Sequence, residues 1–218
     1  MSIPVMIEQL AISFGNTALI FFITLIGSLP LGLVVYFCKK SKIKVLHWFT
    51  EIYISIMRGT PLMLQLMVVY FVPGLVLGVS VPSNWRMTAT MLAFIINYAA
   101  YWAEIYRGGI ESIPVGQYEA AQVLGYSKSQ TFFKIILPQM VKRIIPPTTN
   151  EVITLVKDTS LASTLGVIEM FTKAKQIAVA PQSPGMLTFV VAAVFYYVFN
   201  TVVSYAMKRF EKALSYYR

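Results

Sequence analysis

Acidic and polar side chains lie within two otherwise apolar parts of the sequence. Glu151 and Asp158 are seven residues apart, so a helix would place both carboxylates on one face. Asn97 and Tyr101 are four residues apart and would share a face of a second helix. A carboxylate binds an ammonium group, or a guanidinium group in bidentate geometry, while the amide and the phenol offer hydrogen bonds. This chemistry suits an α-amino acid, and the candidate binding residues are Asn97, Tyr101, Glu151, Thr154, Leu155 and Asp158.

The composition indicates that a membrane surrounds these residues. Of the 218 residues, 57% are hydrophobic and only 12% are charged, and the mean hydropathy is +0.67. Because a helix needs about 20 apolar residues to cross a bilayer core, long uncharged segments are candidate spans. The composition therefore excludes a soluble enzyme, a nucleic-acid-binding domain and a disordered chain. Four segments contain no Asp, Glu, Lys or Arg: residues 9–38, 59–85, 87–103 and 176–207.

Segment length and helix-breaking residues divide the chain into five predicted spans. Pro30 is expected to kink the first span, and Pro61 to lie in the first turn of the second. The second span has an irregular apolar extension to residue 82. The prediction is an all-α, polytopic membrane protein with five transmembrane helices at residues 11–37, 58–71, 87–106, 144–167 and 186–207.

The distribution of Lys and Arg predicts the orientation. Residues 38–58, 107–143 and 208–218 contain 14 of the 18 basic residues. Because basic residues concentrate in cytoplasmic loops, the N-terminus is expected outside and the C-terminus in the cytoplasm. The two halves of the chain share no repeat, so a symmetric dimer is the simplest way for five helices to enclose a pathway.

The candidate binding residues are expected near the middle of the membrane. At about 1.5 Å per residue, Glu151 lies about 12 Å from a boundary at Arg143. Asn97 lies about 15 Å from the same boundary if the third span ends at Arg107. Antiparallel neighbours would bring both side chains to one level, and transporters bind their substrates between helices at that depth.

Structural alternatives remain open for several of these side chains. Asn97 would also have a purely structural role if its side chain formed a hydrogen bond between helices. Asp158 would also cap a break in a helix. Glu104, at the inner boundary, is expected to pair with Arg107 three residues later. Glu151 is the hardest of the four acidic or amide groups to explain by structure alone, because a charge inside a span is costly.

The longest cytoplasmic stretch predicts two short helices joined by a turn. Residues 117–124 are mostly good helix formers, and Gly125 is expected to end that helix in a left-handed conformation. Ser127 and Gln130 have the spacing of a capping box at the start of a second helix. Pro138 is expected to break or kink that second helix. The prediction is a compact helix–glycine–helix elbow.

The elbow carries a pattern that resembles a known family. The residues Glu119-Ala120-Ala121, Gly125, Ile135 and Leu137-Pro138 are similar to the EAA signature of permease subunits of ATP-binding-cassette importers. Two further motifs resemble the polar amino acid branch of these permeases: Arg58-Gly59-Thr60-Pro61 and Lys157-Asp158-Thr159-Ser160-Leu161. The resemblance extends in order from about residue 10 to residue 209.

The resemblance implies a type I ABC importer permease fold and a separate motor. Residues 1–218 would form one permease domain, with residues 112–139 as the EAA loop that holds the coupling helix. The chain contains no phosphate-binding loop of the Gly-x-x-x-x-Gly-Lys-Ser/Thr kind, so it is not expected to be an enzyme or to need a cofactor, and ATP would bind to partner subunits. Small side chains at Ala120 and Ala121 would allow an ATPase to approach closely. The expected ATPase-docking residues are Glu119, Ala120, Ala121 and Gly125.

The expected partners follow from the same resemblance. They are two ABC ATPase subunits, a second permease chain in a homodimer, an extracellular or periplasmic amino acid-binding protein, the amino acid and membrane lipid, with no nucleic acid. The amphipathic outer segment 167–177 would contact the binding protein or rest at the membrane interface. The single cysteine, Cys38, excludes an intrachain disulfide and a zinc site. The expected location is a prokaryotic cell membrane.

The expected function is the pathway of an ATP-driven amino acid importer. An acid at position 151 favours a basic substrate, and a neutral polar substrate such as glutamine or cystine is the alternative because the acid would then bind only the α-ammonium group. A stand-alone secondary transporter is the other alternative, because it also needs acids in the membrane. Its mechanism does not require the elbow, and such transporters usually have duplicated halves. No residue pattern supports a membrane-embedded enzyme.

Overall fold

The computed structural model describes residues 1–214, and within them the regular structure is entirely helical. The helices are α1 Ile3–Lys39, α2 Lys44–Gly59, α3 Leu62–Phe71, α4 Trp85–Glu111, α5 Val115–Val123, α6 Lys128–Thr131, α7 Leu137–Asp158, α8 Met170–Ala178 and α9 Leu187–Ala213. A π-helical turn, Val72–Val76, follows α3, and a second, Phe132–Ile136, joins α6 to α7. A 3₁₀ segment, Thr159–Leu165, follows α7.

Two of the described helices, α1 and α9, are each long and apolar enough to cross a membrane. A third crossing results if α2 and the helical segment Leu62–Val76 count as one span, although these two parts meet at a bend of 114°. The remaining long helices, α4 and α7, have 27 and 22 residues but are not apolar enough to count as spans by the same measure. The structure therefore shows an all-helical membrane protein, and the count of five spans stays a prediction.

The second predicted span begins differently from the prediction. The chain is already helical from Lys44 to Gly59, where only a cytoplasmic stretch was expected. Thr60 is extended, and Pro61 is the extended residue before the first turn of α3 rather than a member of it. The proline ring forces the preceding residue out of the helical region, so α2 must stop there.

Helix α1 packs along α4 and forms the centre of the fold. Gly32 lies so close to the fully buried Trp102 that a Cβ atom on Gly32 would come within 2.4 Å of the tryptophan Cβ. The Trp102 indole donates to Ser28 Oγ at 2.7 Å, and the Tyr106 hydroxyl donates to the Leu29 carbonyl at 3.1 Å. These contacts fix α1 against α4, the helix that supplies one wall of the cavity described below.

Pro138 was expected to break or kink the helix, and the structure shows no break there. The chain stays helical from Lys128 to Asp158, and the π-helical turn at Phe132–Ile136 ends two residues before the proline. A π turn changes the local hydrogen-bond pattern and so accommodates a residue that has no N–H to donate. The elbow is thus joined to α7 by continuous helix.

The amphipathic outer segment is packed into the protein. Glu169 caps α8: its carboxylate accepts hydrogen bonds from the backbone N–H of Phe171 at 2.7 Å and of Thr172 at 2.6 Å. The Tyr196 hydroxyl of α9 donates to the same carboxylate at 3.1 Å. The apolar face of α8 completes a small core with α1 and α9, formed by Met6, Leu10, Met170, Ala174, Ile177 and Ala192.

Replacement of Gly32 tests the close approach of α1 and α4. Gly32→Ala forces a methyl group against Trp102 and is expected to lower the free energy of unfolding by about 1–3 kcal/mol. Gly15→Ala is the matched control, because it lies on the same helix with nothing within 4 Å of the added atom. Thermal unfolding of the two purified variants in detergent checks this, and equal melting temperatures would contradict it.

Candidate functional site

A cavity of about 610 Å³ opens between the end of α2, the second half of α4 and the middle of α7. Two of the predicted binding residues, Tyr101 and Glu151, line it. Its wall is strongly charged, since five of its eleven lining residues are charged and a sixth is the polar Tyr101. The other charged residues that line it are Arg58, Glu104, Arg107 and Arg143.

Glu104 is the most heavily paired acid of the cavity wall. Its carboxylate accepts from Lys39 of α1 at 2.8 Å and from Arg107 at 2.7 Å, and Arg58 of α2 lies 3.4 Å away. The predicted pairing with Arg107 is confirmed, and two further cations join it. Within residues 1–214, Glu151 has no such ion pair, which distinguishes it from Glu104.

Arg58 is a cavity residue that the sequence did not single out as one. It ends α2 beside the bend, and its guanidinium carbon lies 5.5 Å from the centroid of the Tyr101 ring. This cation–π contact and the contact with Glu104 hold Arg58 between two residues of α4. The motif Arg-Gly-Thr-Pro was a visible signal, but only the bend that it produces turns the arginine toward α4.

Asn97 lies next to the bend rather than on the cavity wall. It is 4% exposed, and its amide donates to the Met57 carbonyl at 3.0 Å and to Gln65 Oε1 at 2.9 Å. Gln65 in turn donates to the carbonyl oxygens of Met57 and Thr60, at 3.0 and 3.1 Å. These bonds agree with the structural alternative for Asn97, a hydrogen bond between helices. They also show that Gln65 is its partner, which the spacing of residues in the sequence did not indicate.

The other predicted residues of α7 point in different directions. Asp158 accepts a hydrogen bond from the Tyr98 hydroxyl of α4 at 2.8 Å. Leu155 is fully buried in the core, and Thr154 is partly buried. The structure therefore brings Tyr101 and Glu151 into one cavity and places Asp158 two turns of helix further along.

A network of ion pairs at the C-terminal end of α4 adjoins the cavity through Arg107. Lys40 donates to Glu111 at 2.7 Å, and Arg107 also contacts that carboxylate. Glu111 lies beyond the predicted span at residues 87–106, and the hydrogen bond from Lys40 lowers the pKa of its carboxyl group. The end of α1 is thereby tied to the end of α4.

The elbow has the predicted local structure. Gly125 has a φ of 75° and ends α5, and the N–H of Tyr126 donates back to the Ala121 carbonyl at 3.0 Å. Ser127 and Gln130 form the capping box, each side chain accepting from the other residue's backbone N–H. The predicted elbow is confirmed.

The surface of the elbow differs from the prediction at one alanine. Glu119 and Ala120 are exposed, but Ala121 is 1% exposed and packs inside the elbow, so the expectation that both alanines are open to a partner is wrong for Ala121. The packing of α5 against the turn Phe132–Ile136 covers this position. Large apolar side chains are exposed instead, with Val123 at 87%. The elbow therefore has an apolar surface of the kind that binds another protein, formed by Val115, Val123, Leu124 and Phe133.

Comparison with known proteins identifies the chain as a membrane component of a transport system. Residues 28–216 match the family of binding-protein-dependent transport system inner membrane components, and the chain belongs to this family. The resemblance seen in the EAA pattern is thus confirmed.

The relatives are amino acid permeases of ABC transporters. The chain is 38% identical over 216 residues to a probable amino-acid permease protein, YxeN, of Bacillus subtilis, covering 97% of this chain and 92% of the relative. It is 36% identical to the arginine transport system permease protein ArtQ of the same organism, covering 97% and 93% of the two chains. The L-cystine transport system permease protein TcyB, also from Bacillus subtilis, is 33% identical over 89% of this chain and 82% of its own.

Solved structures show the same fold. An amino acid ABC transporter crystallised with histidines matches with a TM-score of 0.79 and 31% identity, covering 96% of this chain and 94% of that chain. The MetNI methionine ABC transporter, in inward-facing conformations, matches with a TM-score of 0.69 at 19% identity over 99% of this chain and 100% of that chain, which concerns the fold alone.

Replacement of Asn97 separates a structural role from a cavity role. Asn97→Ala leaves the buried oxygens of Met57 and Gln65 without this donor, which is expected to cost about 1–3 kcal/mol of unfolding free energy. Asn84→Ala, at an exposed amide that makes no capping hydrogen bond, is the control and should be neutral. Thermal unfolding in detergent measures both, and an unchanged melting temperature for Asn97→Ala would contradict the interhelical role.

Proposed function

We propose that this chain is the transmembrane pathway subunit of an ATP-driven amino acid importer, with basic amino acids as its main substrates. The observation that carries this proposal is Glu151, the acid of the cavity without an ion pair among residues 1–214, which faces the same space as Tyr101. An uncompensated carboxylate in a membrane is costly, so a cationic substrate is the natural partner for it. The similarity to an arginine permease supports a basic substrate.

A neutral polar substrate is the second candidate. Relatives named for L-cystine and for glutamine transport are 33% identical to this chain, so the family does not restrict the side chain of the substrate. In this case Glu151 binds only the α-ammonium group, and the Tyr101 hydroxyl contacts the rest of the molecule.

The proposed binding set keeps all six predicted residues, in two groups. Tyr101 and Glu151 contact the substrate directly in the cavity described here. The remaining four lie on the same two helices, α4 and α7, but outside this cavity, and we assign them contact with the substrate in a conformation in which the two helices have separated. They are Asn97, Thr154, Leu155 and Asp158.

The proposed topology has five spans in one permease domain, residues 1–218. The N-terminus lies outside and the C-terminus in the cytoplasm of a prokaryotic cell, because this orientation places 14 of 18 basic residues on the cytoplasmic side. The bacterial relatives support a prokaryotic cell membrane.

The proposed partners are two ABC ATPase subunits, a second copy of this chain and an extracellular amino acid-binding protein. The elbow docks to the ATPase through Glu119, Ala120 and the apolar side chains around them, while Ala121 and Gly125 shape the elbow from within. ATP binds to the ATPase subunits, and this chain needs neither a metal nor a cofactor. Alternating access then follows from closure of the ATPase pair against the elbow.

Replacement of Glu151 tests the substrate site. Glu151→Gln removes the charge at nearly constant shape and is expected to lower arginine uptake about 10- to 100-fold, the effect of losing a charged hydrogen bond. ATPase copurification should not change. Glu8→Gln, at an exposed acid of α1, is the control and should transport normally. Unchanged arginine uptake by Glu151→Gln in proteoliposomes would remove this residue from the substrate site.

Replacement of Glu119 tests the docking surface. Glu119→Ala is expected to reduce uptake about tenfold, equivalent to about 1.4 kcal/mol of lost interaction with the ATPase. Glu211→Ala, an exposed acid at the end of α9, should have no effect. Copurification with a co-expressed ABC ATPase and uptake in proteoliposomes measure both. Active uptake by the chain in the complete absence of an ATPase would instead support a secondary transporter.

A further inference from the structure

A second cavity lies where α1 turns into α2, away from the charged cavity. It has a volume of about 760 Å³ and opens on the surface of the chain. Both cationic and apolar side chains line it, and the function proposed above uses none of them. The lining residues that matter here are Lys42, Lys44, Val45, His47, Trp48 and Phe49.

The two lysines of this cavity carry charge that the chain does not compensate. Among residues 1–214, neither Lys42 nor Lys44 has an ion pair, and both side chains are exposed. The preceding lysines differ: Lys39 is paired with Glu104 and Lys40 with Glu111. Two unpaired positive charges on the wall of one cavity therefore favour an anionic ligand.

The apolar side chains that line this cavity are exposed at the surface of the chain. Val45 is 63% exposed, Trp48 57% and Phe49 60%, all on the first turns of α2. The His47 ring is held against the Lys39 carbonyl, which fixes this turn to the end of α1. Helices with an apolar face and a cationic edge lie in the interface of a membrane, where tryptophan is also enriched.

We propose that the α1–α2 corner binds an anionic phospholipid, with its headgroup phosphate at Lys42 and Lys44 and its acyl chains against Val45, Trp48 and Phe49. Charge complementarity selects an anionic over a zwitterionic lipid, and the apolar surface selects a lipid over a free phosphate ion. The site adjoins Lys39, which reaches Glu104 on the wall of the charged cavity. Only the assignment to the cytoplasmic leaflet rests on the topology proposed above.

Quenching of Trp48 fluorescence tests the proposal. The full-length chain is reconstituted into phosphatidylcholine vesicles that contain brominated phosphatidylglycerol or, separately, brominated phosphatidylcholine. The Trp48→Phe variant is measured in parallel, so that the difference gives the emission of Trp48 without that of the other two tryptophans. Brominated phosphatidylglycerol is expected to quench Trp48 more strongly at equal mole fraction.

Charge variants then identify the site. Lys42→Gln and Lys44→Gln should each reduce the preference for phosphatidylglycerol about fivefold, the effect of one lysine near an anionic surface. Lys42→Arg should retain it, which controls for misfolding. Lys208→Gln removes one exposed cytoplasmic-end charge outside the cavity and should leave the preference unchanged.

Three results would overturn the proposal. They are equal quenching by the two brominated lipids, an equal loss of preference in Lys208→Gln, and loss of the preference when inorganic phosphate is added at constant ionic strength. The last result would identify a free-anion site instead of a lipid site. None of these outcomes depends on which amino acid the protein transports.

Discussion

The packing of the helix ends depends on the neutralisation of one largely buried carboxylate, that of Glu104. It forms ion pairs with Lys39, Arg58 and Arg107, which come from three helices. A buried charge of this kind is costly to leave unpaired, so the ends of α1, α2 and α4 are held together around one carboxylate. Glu151 lies on the opposite wall of the same cavity and has no ion pair within residues 1–214, so the two acids of this cavity differ in how their charge is compensated.

The bend between α2 and α3 also contains polar groups that need partners inside the protein. A sharp turn at Thr60 and Pro61 leaves backbone carbonyl groups without helical partners, and such groups must be satisfied inside the protein. The side-chain amides of Gln65 and Asn97 donate to those carbonyls. The bend is thus stable, and it sets the position of Arg58 beside Tyr101.

Local signals made the elbow and the helical character predictable from sequence. The left-handed Gly125, the capping box of Ser127 and Gln130 and the pairing of Glu104 with Arg107 depend only on near neighbours in the chain, and all are confirmed. The burial of Ala121 and the partners of Asn97 depend on helices far away in sequence, so spacing could not determine them. Of the candidate site, the sequence indicated Tyr101 and Glu151, which line one cavity, but it placed Asn97 rather than Tyr101 at the level of Glu151 and did not indicate the arginines that surround them.

The π-helical turn at Phe132–Ile136 has a mechanical consequence. Because no break occurs at Pro138, helical backbone runs without interruption from the elbow to Glu151, and about 30 Å of it separates Phe132 from Glu151. A displacement of the elbow would therefore pass along stiff helix to Glu151 instead of being absorbed by a flexible loop.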